Sequence, residues 1–206
     1  MTYPGAAGRY AARMTLTPGA LREQVWNDLL ARRACAYPTP PHGHCPNFTH
    51  ARRAATHLLA HPAVAALHTL IVGPERALLP LRQQALKAGK VLYVPHQKKA
   101  GWYWRVTAPA GARLSALPDH GEAVLRPVGA QAAVLACVVV DRRGQRLGKG
   151  FGWGARGLPE ALPSFTLAHP LMLRDVLPCP ADSTVTLIGT SGGVIECPGA
   201  PATPAP

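Results

Sequence analysis

The residues with the most chemical content lie in one run, Asp141-Arg142-Arg143-Gly144-Gln145-Arg146-Leu147-Gly148-Lys149-Gly150-Phe151-Gly152-Trp153-Gly154. Glycine at every second position from 148 to 154 lets the backbone take positive φ and turn successive N–H groups toward one ligand. Arg146 and Lys149 add positive charge where those donors converge, which is the outline of a phosphate cradle. The run matches neither the P-loop nor the dinucleotide fingerprint, and alternating glycines equally suit a surface loop that only avoids strain.

Other residue types are less directed. Of the nine histidines, His57 and His61 stand four apart and share a helix face, but no glutamate accompanies them and Pro62 follows at once, so the spacing of a zinc site is absent. Trp102-Tyr103-Trp104, preceded by Lys98 and Lys99, offers aromatic faces beside positive charge, a pattern that can stack nucleic-acid bases. In an alternating strand one face of that triplet belongs to the core instead. Five cysteines without close pairing argue against a disulfide framework and a C-x-x-C metal site, and are expected to be reduced thiols.

The elements that must position the glycine run follow from periodicity and punctuation. Thr17 can cap a helix beginning at Pro18 and running to about Arg33, with Leu21, Val25 and Leu29 on one face. Tyr37 to Pro46 is a Pro-rich loop, and a second helix is expected from about Thr49 to Leu59. The apolar run Leu67 to Val72, a helix from Leu79 to Ala88 capped by Gly89, and the strand Val91 to Val94 form a βαβ unit. Trp102 to Val106 is a candidate additional strand, Ala132 to Val140 the expected central parallel strand, and Thr184 to Ile188 a further one. This alternation predicts an α/β domain, a Rossmann-like three-layer αβα arrangement with a mostly parallel central sheet. Ligands then belong at the carboxyl ends of strands, in the loops after Val72, Val94 and Val140.

With 206 residues, 48% of them hydrophobic and 16% charged, the chain can bury one sizeable core. Composition assigns residues 17–196 to a single domain, with 1–16 and the Pro/Ala-rich 197–206 as disordered tails. No apolar stretch is long enough to span a bilayer and no signal-peptide pattern opens the sequence, so the expected address is the cytoplasm. Twenty-two basic against ten acidic residues favour anionic partners, nucleotide or RNA among them, although an arginine-rich composition throughout has the same effect.

The segment Arg146 to Trp153, after an apolar strand and an Asp-x-x-Gly turn, resembles the Arg-x-Gly-x-Gly-x-Gly-Tyr motif of the 5-formyltetrahydrofolate cyclo-ligase (methenyltetrahydrofolate synthetase) family. It is most similar to the methenyltetrahydrofolate synthetase domain-containing branch. Leu21 to Trp26, Pro46-Asn47-Phe48, Gly73 to Arg76, Arg82 to Lys90, Leu92 to Pro95, and Ala181-Asp182 with Thr190 follow in the order the family has them. The resemblance implies closure of 5-formyltetrahydrofolate to 5,10-methenyltetrahydrofolate with ATP and Mg2+, through phosphorylation of the formyl oxygen. It also implies that Arg146, Gly148, Lys149, Gly150, Phe151, Gly152 and Trp153 bind ATP, that Arg146, Lys149 and Trp153 are catalytic, and that Glu75, Lys90, Tyr93 and Trp153 bind the folate. Pro18 stands where the family carries a lysine, Ala155 where it carries the acid expected to help with metal, Met172 where it carries a glutamine, and Ala181 where it carries a histidine. These departures leave a second expectation: a catalytically degenerate module of the same fold that binds nucleotide, folate or, weakly, RNA.

Overall fold

The computed structural model describes residues 16–154 and 162–198. The chain opens with α1 (Pro18–Ala31), α2 (Ala51–Ala60) and the short α3 (Pro62–Ala65), then β1 (Thr69–Val72), α4 (Leu79–Lys87), β2 (Val91–Pro95) and β3 (Tyr103–Val106). It continues through α5 (Leu117–His120), β4 (Gly121–Val124), β5 (Ala132–Val134), β6 (Val139–Asp141) and β7 (Gln145–Leu147). The last elements are β8 (Ser164–Leu167), β9 (Leu173–Arg174), β10 (Ser183–Thr184), β11 (Leu187–Thr190) and β12 (Gly193–Glu196). The Thr17 hydroxyl accepts the Ala20 N–H at 3.1 Å, the cap that the sequence calls for.

The fold is α/β. Eight strands form one mixed sheet in the order β12-β11-β8-β5-β1-β2-β3-β4. The five central strands, β11 to β2 in that order, are mutually parallel, while β12, β3 and β4 add antiparallel edges. β1 lies between β2 and β5, so the order of connection reverses at its carboxyl end, where a parallel sheet leaves a crevice. Leu70 and Val72 of β1 point into a large buried cluster with Leu58 of α2 and Leu81 and Ala85 of α4, while Ile71 points to the opposite face. On that face Ile71, Tyr93 and Ala133 are covered, among the described residues, by Tyr103, Val124, Ala130, Trp153 and Leu162.

Two strand expectations are corrected. The apolar run from Ala132 to Val140 is not one central strand: β5 ends at Val134, and β6 belongs to a second sheet of order β10-β7-β6-β9. Burial is complete along the whole run, so hydropathy could not mark the break. The Thr184 to Ile188 strand is likewise divided between β10 of the small sheet and β11 of the large one. Cys197, which composition assigns to the tail, is buried, and its N–H donates to the Thr186 carbonyl at 2.9 Å.

Candidate active site

The small sheet exists to deliver the glycine run. β7 leaves it at Leu147, and the following backbone is pinned at Gly148 by two distant residues. Arg22 of α1 donates from Nε to the Gly148 carbonyl at 2.7 Å and pairs through Nη2 with Asp182 at 3.0 Å, and Asp182 Oδ2 accepts the Gly148 N–H at 2.8 Å. Downstream, Gly150 and Gly152 take φ of +94° and +78°, which an L side chain would strain. Lys149 projects from this turn with its ammonium 4.8 Å from the Phe151 ring centroid.

Lys149 lines a cleft at the carboxyl ends of β1 and β2. The cleft has two adjoining lobes, of about 530 and 350 Å3, that share Pro74, Glu75, Gln97 and Lys149. Trp102, Tyr103, Gly152 and Trp153 complete the larger lobe; Tyr37, His44, Cys45 and Arg76 line the smaller. Among the described residues the cleft thus sets an aromatic wall and one carboxylate against a cationic glycine turn. Glu75 is half-buried, its Oε2 lies out of solvent without a hydrogen-bond partner, and burial pushes its carboxyl above the ordinary carboxylate range. Lys149, Arg146 and Arg82 act in the opposite direction. Burial also pushes the Cys45 thiol up, which favours the neutral thiol over the thiolate in the smaller lobe.

The residues expected at the site divide into three groups. Glu75, Lys149, Gly152 and Trp153 meet in the larger lobe. Arg146 and Tyr93 stand behind it. Arg146 is 2% exposed, and its guanidinium donates to the Ala136 carbonyl at 3.0 Å, the Ser183 hydroxyl at 2.8 Å and the Gly154 carbonyl at 3.0 Å, so its fork ties the glycine turn to the two sheets. Tyr93 packs edge-on against Tyr103 and donates its hydroxyl to the Val128 carbonyl at 3.0 Å. Lys90 is elsewhere: it precedes β2, at the opposite end of that strand from the cleft, and its buried ammonium donates to the carbonyls of Val64, Ala65 and Leu67 around the end of α3. Its assignment as a folate ligand is corrected on that ground.

The loop after Val140 is also not at the cleft. Asp141 is fully buried and spends both carboxylate oxygens on backbone N–H groups, Oδ1 on Arg143 and Gln145 and Oδ2 on Leu177. It cannot replace the family's acid. Ala155 lies outside the described residues, and Met172 is a core residue whose sulfur receives the His169 N–H at 3.4 Å. His57 Nδ1 donates to the Thr190 carbonyl at 2.8 Å and His61 Nε2 sits 3.1 Å from Glu196, contacts that fasten α2 to the sheet edge. No group of three His, Cys, Asp or Glu side chains suited to a metal occurs among the described residues, and no described helix is long and apolar enough to cross a membrane.

Sequence reasoning missed Gln97, Tyr37 and Cys45, which carry no motif and come together only because the β2–β3 loop and the Pro-rich loop face the same crevice. Asp182 belongs to the family-like segment Ala181-Asp182 in the sequence, but its place as the clamp on Gly148 is set by the fold.

The profile of the 5-formyltetrahydrofolate cyclo-ligase family matches residues 18–190. The methenyltetrahydrofolate synthase domain-containing protein of Bos taurus is 28% identical over 177 residues, 76% of this chain and 47% of the relative. That of Mus musculus is 30% identical over 178 residues, 76% of this chain and 48% of the relative. The human protein of the same name is 28% identical over 177 residues. The chain therefore spans about half the length of the curated relatives it matches. With the matched segment running from the first residue of α1 to the last of β11, the chain belongs to the 5-formyltetrahydrofolate cyclo-ligase family.

Proposed function

We propose that the cleft binds ATP and 5-formyltetrahydrofolate side by side and converts the folate to 5,10-methenyltetrahydrofolate, releasing ADP and phosphate. The observation that carries this reading is the convergence of Lys149 and its glycine turn with Glu75, Trp102, Tyr103 and Trp153 in one cleft. A triphosphate fits against the N–H groups of a turn already bent by positive φ at Gly150 and Gly152, with Lys149 meeting the terminal phosphate. A reduced pterin fits between the aromatic side chains, and the unpartnered Glu75 Oε2 suits a ring N–H. The formyl oxygen then attacks the γ-phosphorus, the ADP leaving group departs, and N10 closes on the activated carbon as phosphate is expelled. The protein's part is positioning and neutralisation of phosphate charge. Arg146 acts by holding the turn through Gly154 and does not touch the nucleotide.

Mg2+ neutralises phosphate charge in such transfers. Glu75 is the single carboxylate lining the cleft among the described residues, so the donor set fits an ion carried mainly by the nucleotide's own oxygens and water. What supports the second reading, a module that binds nucleotide, folate or RNA without efficient turnover, is Ala155, which offers no oxygen where the family carries an acid; Glu160, the other acid near the glycine run, lies outside the described residues. The five free cysteines accord with a cytoplasmic setting.

The test mixes purified protein, ATP, Mg2+ and 5-formyltetrahydrofolate and follows the near-ultraviolet absorbance of the methenyl product, with ATP binding measured by calorimetry. Product formation at a rate proportional to enzyme is expected. ATP binding without product would select the module, and neither would sink both readings. Lys149→Ala should weaken ATP binding by about 1.5–3 kcal/mol, the range for a charge-assisted contact.

A further inference from the structure

A separate cavity of about 550 Å3 borders the Pro74–Arg76 segment without touching the glycine turn or Lys149. Its lining includes Arg82, a residue 2% exposed in the interior of α4. Arg82 spends three of its five N–H donors on carbonyls: Nε on Ala112 at 2.9 Å, and Nη1 on Gly73 at 2.6 Å and Glu75 at 3.2 Å. The two N–H groups of Nη2 have no partner among the described residues. Arg76, Arg113 and Ser115, all exposed, line the same cavity, Arg76 with its guanidinium 4.8 Å from the Tyr37 ring centroid and so turned to the main cleft, while Leu79 and Leu114 provide apolar wall and no carboxylate lines it.

Arg82 and Arg113 bring positive charge to a hollow that no carboxylate lines, and the buried guanidinium is the costlier of the two to leave uncompensated. Burial pulls the Arg82 guanidinium down to about 10, and Glu75, which draws it back up, makes no ion pair with it among the described residues. The geometry points to a second anion site, in which Arg82 Nη2, Arg113 and Ser115 hold a phosphate group distinct from any nucleotide in the main cleft. Planar guanidinium donors match the oxygens of a phosphate dianion two at a time, and Arg82 is preorganised by its three carbonyls. The cavity is several times larger than inorganic phosphate and has the size of a small-molecule pocket, so a phosphomonoester with a short organic body also fits.

The test titrates the full chain with inorganic phosphate and, in parallel, with glycerol 3-phosphate and succinate, by calorimetry at about 0.15 M salt, where diffuse surface attraction is screened. Saturable phosphate binding is expected to persist in Lys149→Ala and to weaken about tenfold or more in Arg113→Ala, whose ATP affinity stays unchanged. Arg113 is exposed, so that variant keeps its fold, and Ser115→Ala, at an exposed residue that lines this cavity and not the main cleft, gives an independent second reading of the same site. Tighter binding of the ester assigns the phosphomonoester, and tighter binding of free phosphate assigns the inorganic ion. Absence of binding, loss in Lys149→Ala with none in Arg113→Ala, or succinate binding as tightly as phosphate would each overturn the proposal. Product formation in the cleft is unaffected by these outcomes, so the site and the proposed activity stand or fall separately.

Discussion

Truncating Arg146 removes hydrogen bonds to Ala136, Ser183 and Gly154 together and leaves two carbonyls without those donors. From its motif position alone, its loss should weaken nucleotide binding and spare the fold. Its burial reverses the emphasis: Arg146→Ala should cost about 2–4 kcal/mol of stability in urea denaturation, because deserted polar groups carry their desolvation penalty. A variant with wild-type stability and weak ATP binding would return Arg146 to the phosphates. Glu75 gives a pH signature. Burial raises its carboxyl in the folded state above the ordinary 4.5, so between 4.5 and the folded value the native protein holds a proton that the unfolded chain has released. Stability contributed by this group therefore falls as pH rises through that window and is flat above it. Glu75→Gln removes that decline, and denaturation curves for the two proteins across the acid range should converge at low pH and separate above it.

At the scale of elements, the core depends on how closely α2 and the sheet approach. Gly189 of β11 lies so near them that an added Cβ would stand 2.8 Å from the Ala54 carbonyl oxygen, 2.8 Å from Leu167 Cδ2 and 2.9 Å from Leu58 Cβ. Gly189→Ala must push α2 off the strand, and overpacking of this kind should destabilise by about 1–3 kcal/mol in the same urea assay. An unchanged midpoint would mean that helix and strand are held less tightly than their spacing implies. The small sheet works differently. β6 and β7 form an antiparallel pair, and β10 brings Asp182 beside β7, so the clamp on Gly148 is an inter-element contact spanning most of the chain, with α1 supplying Arg22. Loop order thus derives from three elements distant in sequence.

For the whole molecule, a formal net charge of +12 makes any RNA a candidate partner by long-range attraction alone. Of the aromatic side chains that sequence offered for stacking, Trp104 stacks on His96 at 4.8 Å, while Trp102 and Tyr103 line the cleft and face its interior rather than an open nucleic-acid groove. Binding of single-stranded RNA is therefore expected to be weak, without sequence preference and steeply reduced by salt, as counterion release requires. A fluorescence-anisotropy titration showing tight, salt-insensitive, sequence-selective binding would displace the small-molecule reading.

The boundaries of α1, α4 and β2 were legible in the sequence because caps, prolines, Gly89 and apolar periodicity are local signals, and local backbone physics acts on neighbouring residues. The glycine run declared itself for the same reason: its chemistry is written in consecutive residues. Where hydropathy is uniform, as from Ala132 to Val140, nothing local records which sheet a strand joins, and pairing with β1 and β8 for one half and with β7 and β9 for the other settles it. Side-chain roles followed the same division. Lys90 and Arg146 are both cations in family-like segments of the sequence, yet one closes the end of a helix and the other braces a loop, because hydrogen-bond partners are chosen by proximity in three dimensions. Glu75 became the cleft's carboxylate only when the carboxyl ends of β1 and β2 were brought side by side, with Lys149 carried in from the small sheet to face it.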